Sequence, residues 1–284
     1  MGIILTLSIA ANLLFVVIEA VMGFVGNSLS LLSDAGHNLS DVFTLVLVAV
    51  AIKLAQAHPT ERMTYGYRKS TILISLVNAI ILLVAVGGIV IESIHKLMEP
   101  VAVDGAIVSI TAGIGIVVNG ATALLLMRRQ QNDLNIRGAF LHMAADTLVS
   151  VGVVVSGIII SATGWTIIDP IVSLIIAAVI LAGTWSLLAD SLRLSLDGIP
   201  EGLSLSEVKT AIEADSRVRE AHHLHVWAIS TTENALTAHV VLESLDEMED
   251  VKHQLKHRLS HLGITHSTIE VETPDAHCDE PQCD

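Results

Sequence analysis

Six long apolar stretches follow one another in this chain, and they constrain its fold more than any other feature. Each approaches or exceeds the roughly 20 residues that a helix needs to cross a bilayer. With 52% hydrophobic and 15% charged residues, the chain is too apolar for a single soluble domain. The sequence therefore predicts an α-helical membrane protein with six transmembrane helices, over residues 3–25, 31–55, 71–94, 106–127, 138–161 and 167–188.

Charge and histidine are spread unevenly, and their distribution predicts a domain boundary. Residues 1–196 hold 9 Lys or Arg and 11 Asp or Glu, whereas residues 197–284 hold 6 and 18, so the net charges are −2 and −12. Nine of the 13 His also lie in the second part. We therefore predict a transmembrane domain over 1–196 and a soluble domain over 197–284. An acidic domain is suited to cations and argues against a nucleic-acid partner, which needs a basic surface.

The hydrophobic pattern changes at about Pro200, where short amphipathic elements replace the long apolar stretches. The expected order is helix, strand, strand, helix and strand, which predicts a small α+β sandwich of about 80 residues. Ser206 is a candidate N-cap of the first helix, ahead of Glu207. The predicted elements are a helix at 204–215, strands at 222–230 and 236–243, a helix at 246–262 and a strand at 265–272.

The distribution of Lys and Arg between the loops predicts the orientation in the membrane. Eight of these residues lie in the loops after spans two and four and in the segment after span six, whereas the opposite loops carry only Lys96. The loops with positive charge should face the cytosol, so both termini and the C-terminal domain are expected there. The eight residues are Lys53, Arg62, Arg68, Lys69, Arg128, Arg129, Arg137 and Arg193.

Two copies of His-x-x-x-Asp lie inside the apolar stretches. His37 and Asp41 belong to the second stretch, and His142 and Asp146 belong to the fifth. Residues four apart share one face of a helix. An ionisable group at bilayer depth costs on the order of 3 kcal/mol on insertion scales, so two such pairs require an explanation.

The residues alone leave three interpretations of these pairs open. Each pair could form a local hydrogen bond in helix packing, the four residues could relay protons, or they could hold a metal ion. Two identical pairs on two different spans favour a shared role over local packing. Two imidazoles and two carboxylates suit a tetrahedral zinc ion. Asp34 shares a face with Asp41, and we interpret it as a residue of the helix start rather than as a station on an ion path.

Motifs in five places resemble the cation diffusion facilitator family, of the zinc-transporter type, and the resemblance covers nearly the whole chain. The motifs are SDAGHNLSD at 33–41, RMTYGYRK at 62–69, NIRGA at 135–139 followed by His142 and Asp146, LDGIP at 196–200 and HHLHVW at 222–227. The resemblance implies six membrane helices, a cytosolic ferredoxin-like domain of the copper-chaperone type and a homodimer. It also implies a proton-coupled antiporter that exports Zn²⁺, with Cd²⁺ or Co²⁺ as extra substrates, rather than an enzyme with a prosthetic group.

The chemistry of the four residues agrees with this mechanism. Imidazole must be neutral to bind zinc, so protons compete with the metal. Because imidazole titrates between about pH 5 and 8, His37 and His142 can lose protons as metal enters and regain them when it leaves. Asp41 and Asp146 balance the charge of the ion at low dielectric. Alternating exposure of one site would couple Zn²⁺ to H⁺ without ATP, which agrees with the lack of a Walker motif.

The resemblance also implies metal sites in the cytosolic domain. His222, His239, His266 and Glu272 match positions that bind zinc in family members, and Cys278 and Cys283 lie in a tail that could complete such a site. We expect this zinc to be structural or regulatory and to tighten the dimer. Lys69 and Asp197 are expected to form a charge pair. The remaining His at 223, 253, 257 and 261 are interpreted as surface residues, although the last three form a stripe that could bind metal weakly.

Two other classes of function compete with transport. A membrane metallohydrolase requires a motif such as His-Glu-x-x-His with a catalytic Glu, and the chain has none. A metal sensor that binds without transport would not need the His and Asp pairs in the spans, and both pairs are intact. The loop at 128–133 lacks the His of many zinc-type relatives, which favours a bacterial cytoplasmic membrane.

Overall fold

The computed structural model describes residues 2–25, 29–99, 105–127, 134–165 and 167–276. The chain forms two compact units. The first contains Met1–Ala57 and Leu73–Ala189, and the second contains His58–Ile72 and Asp190–Asp284. The segment His58–Ile72, which connects two helices in the first part of the chain, thus folds with the C-terminal part, whereas the sequence analysis assigned it to the first domain.

The first unit is built from long helices in the positions that the apolar stretches predict. Two helical stretches within the described ranges, Ser70–Met98 and Ala177–Ser195, are long and apolar enough to cross a membrane by length and composition. Large apolar side chains such as Val84, Ile91 and Ile158 are exposed, which is unusual for a protein surrounded only by water. The helices are α1 (Gly2–Val25), α2 (Leu29–Ala55), α3 (Ser70–Met98), α4 (Gly105–Met127), α5 (Leu134–Thr163) and α6 (Ile168–Ser195).

Helix α5 contacts two neighbouring helices of the first unit along the chain region that carries His142 and Asp146. It packs along α4 and contacts α2. Leu45 and Val48 of α2 and Met143 of α5 are fully buried in one apolar cluster. Gly138 allows a close approach on another side of α5, because a Cβ atom there would lie 2.7 Å from Nδ2 of Asn78. The two helices that carry the His-x-x-x-Asp pairs are therefore packing neighbours.

The second unit contains the mixed fold that the sequence predicts. Its three-stranded sheet has the order β1-β2-β3, with β1 and β2 antiparallel and β2 and β3 parallel. Ser204, and not Ser206, caps the first helix, because its hydroxyl oxygen accepts a hydrogen bond from the Glu207 backbone N–H at 3.2 Å. The elements are α7 (Leu205–Glu213), β1 (Val218–Ala228), β2 (Asn234–Leu242), α8 (Met248–His261) and β3 (Ile264–Glu272).

Helices α7 and α8 cover one face of this sheet. Alternate residues of β2, such as Leu236 and Val240, are fully buried against Ile212 of α7 and Leu255 of α8. Successive side chains of a strand point to opposite faces, so the residues between them, including His239, face away from the helices. His239 and its cross-strand neighbour His222 therefore lie on that second face.

Candidate metal centres

His142 and Asp146 form a buried pair on α5. Nε2 of His142 lies 3.7 Å from Oδ2 of Asp146, and the two side chains are only 3% and 9% exposed. The helix produces this contact, because residues four apart stand above one another on the same face. Burial of ionisable groups is costly unless partners compensate for the lost water, which makes the pair a candidate functional site.

The second predicted pair, His37 and Asp41, lies on α2 with the same helical spacing. The side chains of these two residues lie outside the described part of the structure. Leu45, one turn beyond Asp41, packs in the same apolar cluster as Met143, the neighbour of His142. The two pairs therefore lie on helices that contact each other. The four-residue metal site itself stays a prediction.

A second group of candidate ligands lies on the face of the sheet opposite α7 and α8, in the C-terminal unit. Nδ1 of His239 lies 2.6 Å from Oε1 of Glu272, and Nε2 of His222 lies 3.4 Å from Oε2 of the same carboxylate. One ligand atom from each of the three residues lies within 4.8 Å of the others. The group His222, His239 and Glu272 is called the sheet cluster below.

The register of the strands explains why these residues meet. His222 of β1 lies directly opposite His239 of β2, so their side chains are neighbours on one face. Glu272 lies on β3 opposite Val241, two positions along β2 from His239. Its carboxylate reaches both imidazoles across the face.

The sheet cluster has the chemistry of a metal site. Two imidazoles and one carboxylate are a donor set that zinc uses, and three protein ligands leave a fourth tetrahedral position for water or another group. The side chains of His239 and Glu272 are 14% and 11% exposed, so the site is accessible but sheltered. Oε2 of Glu270 lies 3.6 Å from Nε2 of His239 and adds negative charge beside the cluster.

His266, which the sequence analysis grouped with these residues, lies elsewhere on the sheet. His266 lies on β3, opposite Ala235 of β2. Its ring makes an edge contact with Tyr65 at a centroid distance of 5.5 Å. Six residues of extended strand separate it from Glu272, which is about 20 Å. The structure therefore does not bring His266 into the sheet cluster. Cys278 and Cys283 lie outside the described residues, so their role stays a prediction.

Two further His, His223 and His225, lie near the sheet cluster, and the sequence analysis interpreted the first of them as a surface residue. Nε2 of His223 lies 3.1 Å from Nε2 of His225. The ring of His223 also lies 5.0 Å from that of His239, measured between centroids. Strict alternation along β1 places His223 and His222 on opposite faces, so only the irregularity of β1 at this point brings them to one region. The sequence signal that could have found the group is the density of His in His-His-Leu-His.

The segment His58–Ile72 is attached to the C-terminal part by specific polar contacts. Lys69 and Asp197 form the predicted charge pair. Nη1 of Arg68 lies 2.6 Å from Oε2 of Glu233. Oγ1 of Thr71 accepts a hydrogen bond from the Thr231 backbone N–H at 3.0 Å. Sequence analysis found the first of these contacts and missed the other two.

Arg217 ties the start of β1 to the start of α8. Its guanidinium donates to Asp215 at 2.9 Å and to Asp250 at 2.7 Å, and it also reaches Glu247. The hydrogen bond from Arg217 lowers the pKa of Asp215 from 3.8 to about 2, although burial opposes this shift. These carboxylates raise the pKa of Arg217 in turn. The network fixes α8 against the sheet that carries the cluster.

Comparison with known families agrees with these observations. Residues 5–194 match the family described as the cation efflux transmembrane domain, and residues 200–274 match the cytoplasmic domain of cation efflux proteins. The chain therefore belongs to the cation efflux family, also called the cation diffusion facilitator family, whose members are membrane transporters. It combines the transmembrane domain of that family with its cytoplasmic dimerisation domain, as the motifs predicted.

Several characterised proteins are similar over most of the chain. A cadmium, cobalt and zinc/H(+)-K(+) antiporter of Bacillus subtilis is 37% identical, covering 93% of this chain and 86% of its own length. The zinc transporter ZitB of Escherichia coli is 36% identical, covering 94% and 87%. The metal cation efflux system protein CzcD of Cupriavidus metallidurans is 34% identical, covering 94% and 85%.

Proposed function

We propose that this protein exports Zn²⁺ from the cytosol in exchange for protons, with Cd²⁺ and Co²⁺ as further substrates. Its membership of the cation efflux family supports metal transport. The names of its relatives, which include zinc, cadmium, cobalt and H(+)-K(+) antiport, support the metals and the exchange. A transporter of this kind needs no prosthetic group, because the metal is the substrate.

The observation that carries the proposal is the buried His142–Asp146 pair on α5. We infer that His37 and Asp41 complete a tetrahedral site for the transported ion. The packing of Leu45 against Met143 supports this arrangement, because it joins the two helices next to the two pairs. The carboxylates of Asp41 and Asp146 would balance the charge of Zn²⁺ within the membrane.

Proton coupling follows from competition for the same nitrogen atoms. A ring nitrogen that binds Zn²⁺ is free of its proton, so metal entry at His142 and His37 releases protons on the cytosolic side. When the site opens toward a more acidic side, protons return to the imidazoles and displace the ion. The pH gradient then drives zinc outward without ATP.

We further propose that α1 to α6 are the six membrane spans, with both termini in the cytosol and the bacterial cytoplasmic membrane as location. The excess of Lys and Arg on one set of loops supports this orientation. The C-terminal unit is proposed to be a ferredoxin-like dimerisation domain of a homodimer. Its α-β-β-α-β order, with antiparallel β1–β2 and parallel β2–β3 pairs, fits a ferredoxin-like sheet that lacks its first strand.

The sheet cluster is proposed to hold a regulatory Zn²⁺. The contacts of Glu272 with His222 and His239 support it, because a zinc ion would replace the shared protons between these groups. Each C-terminal part, residues 197–284, carries a net charge of −12, so two copies repel each other. Bound cations reduce this repulsion and thereby favour a dimer.

The experiment that tests transport is Zn²⁺ flux in proteoliposomes with an imposed pH gradient. Wild-type protein should move zinc in the direction set by the gradient, and Asp146→Ala should abolish the flux. Glu92→Gln is a matched control, because it also removes a helical carboxylate but one that is exposed and paired with Lys96. Flux in the control should equal that of wild type.

A metal sensor is the second candidate, and the sheet cluster favours it because zinc bound at the cluster would be detected whether or not transport occurs. A wild-type protein that binds zinc but moves none under any gradient would establish the sensor and exclude the exporter.

A further inference from the structure

The imidazoles of His223 and His225 lie with one ring nitrogen of each close together. Their Nε2 atoms lie 3.1 Å apart, and the rings stand at 83° with centroids 4.6 Å apart. Two imidazole nitrogens bound at about 2.05 Å to a tetrahedral zinc ion are about 3.3 Å apart. The observed spacing is close to that value, so little movement is needed for both nitrogens to bind one cation.

A local irregularity of the backbone produces this arrangement. The register of β1 against β2 shifts between His222 and His225, which marks a β-bulge, and His223 has a φ of +49°. The left-handed region is unfavourable for residues other than Gly, although His enters it more readily than bulky residues. Strained residues of this kind concentrate at functional sites, and here the strain turns the His223 ring toward His225 and His239.

The hydrogen bonds of His223 do not account for its position. Its Nδ1 atom is buried and has no hydrogen-bond partner among the described residues. A buried nitrogen without a partner costs free energy, whether it carries the proton or not. The contact with His225 uses the other nitrogen, so a single N–H···N hydrogen bond is the only polar contact that the ring makes there.

We propose that Nε2 of His223 and Nε2 of His225 bind a second divalent cation beside the sheet cluster. Imidazole ligands suit Zn²⁺, Co²⁺, Ni²⁺ and Cu²⁺, and water would fill the remaining positions. The ring of His239 links the two sites, since it lies 5.0 Å from the His223 ring and contacts Glu272. The carboxylates of Glu270 and Glu272 offset the repulsion between two cations.

The test is modification of His by diethyl pyrocarbonate, read by mass spectrometry on the full-length protein in detergent, with and without Zn²⁺. His225 is exposed and should react in the free protein. Zn²⁺ should slow its modification strongly, because the metal occupies the nitrogen that the reagent attacks. His58 is also exposed, and its modification serves as the internal control that zinc should leave unchanged.

Two variants separate this site from the sheet cluster. His223→Asn keeps a residue that tolerates a left-handed backbone but removes the imidazole, so protection of His225 by zinc should disappear. Glu272→Gln weakens the sheet cluster, and protection of His225 should persist. Two outcomes would overturn the proposal: modification of His225 at the same rate with and without zinc, or protection of His225 by zinc in His223→Asn. Either would mean that the contact between His223 and His225 is a hydrogen bond and not a metal site.

A stoichiometry measurement provides a second check if His223→Asn does not fold. His225→Gln changes an exposed side chain, and by equilibrium dialysis it should bind one zinc ion fewer per chain than wild type. His58→Gln, the matched control, should bind the wild-type number. An unchanged number in His225→Gln also overturns the proposal. Neither measurement involves flux, so a failure here is distinguishable from a failure of the proposed transport function.

Discussion

The two candidate metal centres of this protein are assembled in different ways. On α5, His142 and Asp146 are four residues apart and meet because one helix places them on the same face. In the sheet cluster, His239 and Glu272 are 33 positions apart and meet because of strand register. A local pattern thus creates the first contact, whereas the second depends on how three strands pair. The side chains of the first are 3% and 9% exposed, whereas those of the second are between 11% and 17% exposed.

This difference in burial suggests a difference in role. A buried ionisable pair is costly to maintain and is expected to be indispensable to the process that uses it. A sheltered but accessible cluster can exchange its ion with the solution and can respond to zinc concentration. Substitutions in the two centres should therefore have unequal effects on transport, and the following predictions test that inequality in order of expected effect.

The largest effect is expected for His142→Ala, which removes the imidazole from the buried pair. Zinc flux in proteoliposomes should fall to the level of protein-free vesicles, because the remaining ligands are too few for a tetrahedral site. His239→Ala should retain flux at saturating zinc. Equal loss of flux in both variants would contradict the separation between a transport site and a regulatory site.

The next effect concerns stability and distinguishes the sheet cluster from His266. Zinc that binds only the folded protein stabilises it by about 2.7 kcal/mol at 100 times the dissociation constant. His239→Ala should lose most of the zinc-dependent rise in Tm of the C-terminal unfolding transition, measured on the full-length protein in detergent. His266→Ala should keep it, because His266 contacts Tyr65 rather than the cluster. If His266→Ala lost the zinc-dependent rise in Tm to the same extent, His266 would again be a candidate ligand.

A third prediction concerns the Arg217 network that supports the sheet cluster. The pKa of Asp215 is depressed in the folded state, from 3.8 to about 2, so the ionised carboxylate stabilises the fold. This contribution, roughly 2 kcal/mol, is complete above about pH 4 and is lost as the pH falls toward 2.

The variant Arg217→Gln tests this network. It should destabilise the C-terminal unfolding transition at pH 6, and the difference from wild type should shrink between pH 4 and 2, as followed by chemical denaturation. Arg219→Gln is the matched control, because the contact of Arg219 with Glu243, at 3.5 Å, is exposed and its loss should change stability little. A pH-independent loss in Arg217→Gln would show that Asp215 is not the group responsible.

The smallest effect is expected for the ion pair between Arg68 and Glu233. Both side chains are substantially exposed, at 44% and 35%, so their interaction is screened by water. A double-mutant cycle with Arg68→Gln and Glu233→Gln should give a coupling of about 0.2–1 kcal/mol that decreases with salt. A coupling well above this range would mean that the segment His58–Ile72 depends on the pair far more than its exposure suggests.

Much of the architecture followed from the sequence because the relevant signals are local. Apolar runs of sufficient length predicted α1 to α6, and changes of periodicity predicted the order of α7 to β3. The His-x-x-x-Asp spacing predicted the contact on α5, since a helix fixes which residues share a face. The pair Lys69–Asp197 was also anticipated, although only by resemblance to a family.

Tertiary structure decided the features that depend on residues far apart in the chain. The register of β2 against β3 joined Glu272 to His239 and left His266 at the other end of the strand. The bulge in β1 turned His223 toward its neighbours, against the alternation that a regular strand imposes. Local sequence determines which face of an element a residue occupies, but only the pairing of elements determines which distant residues share that face.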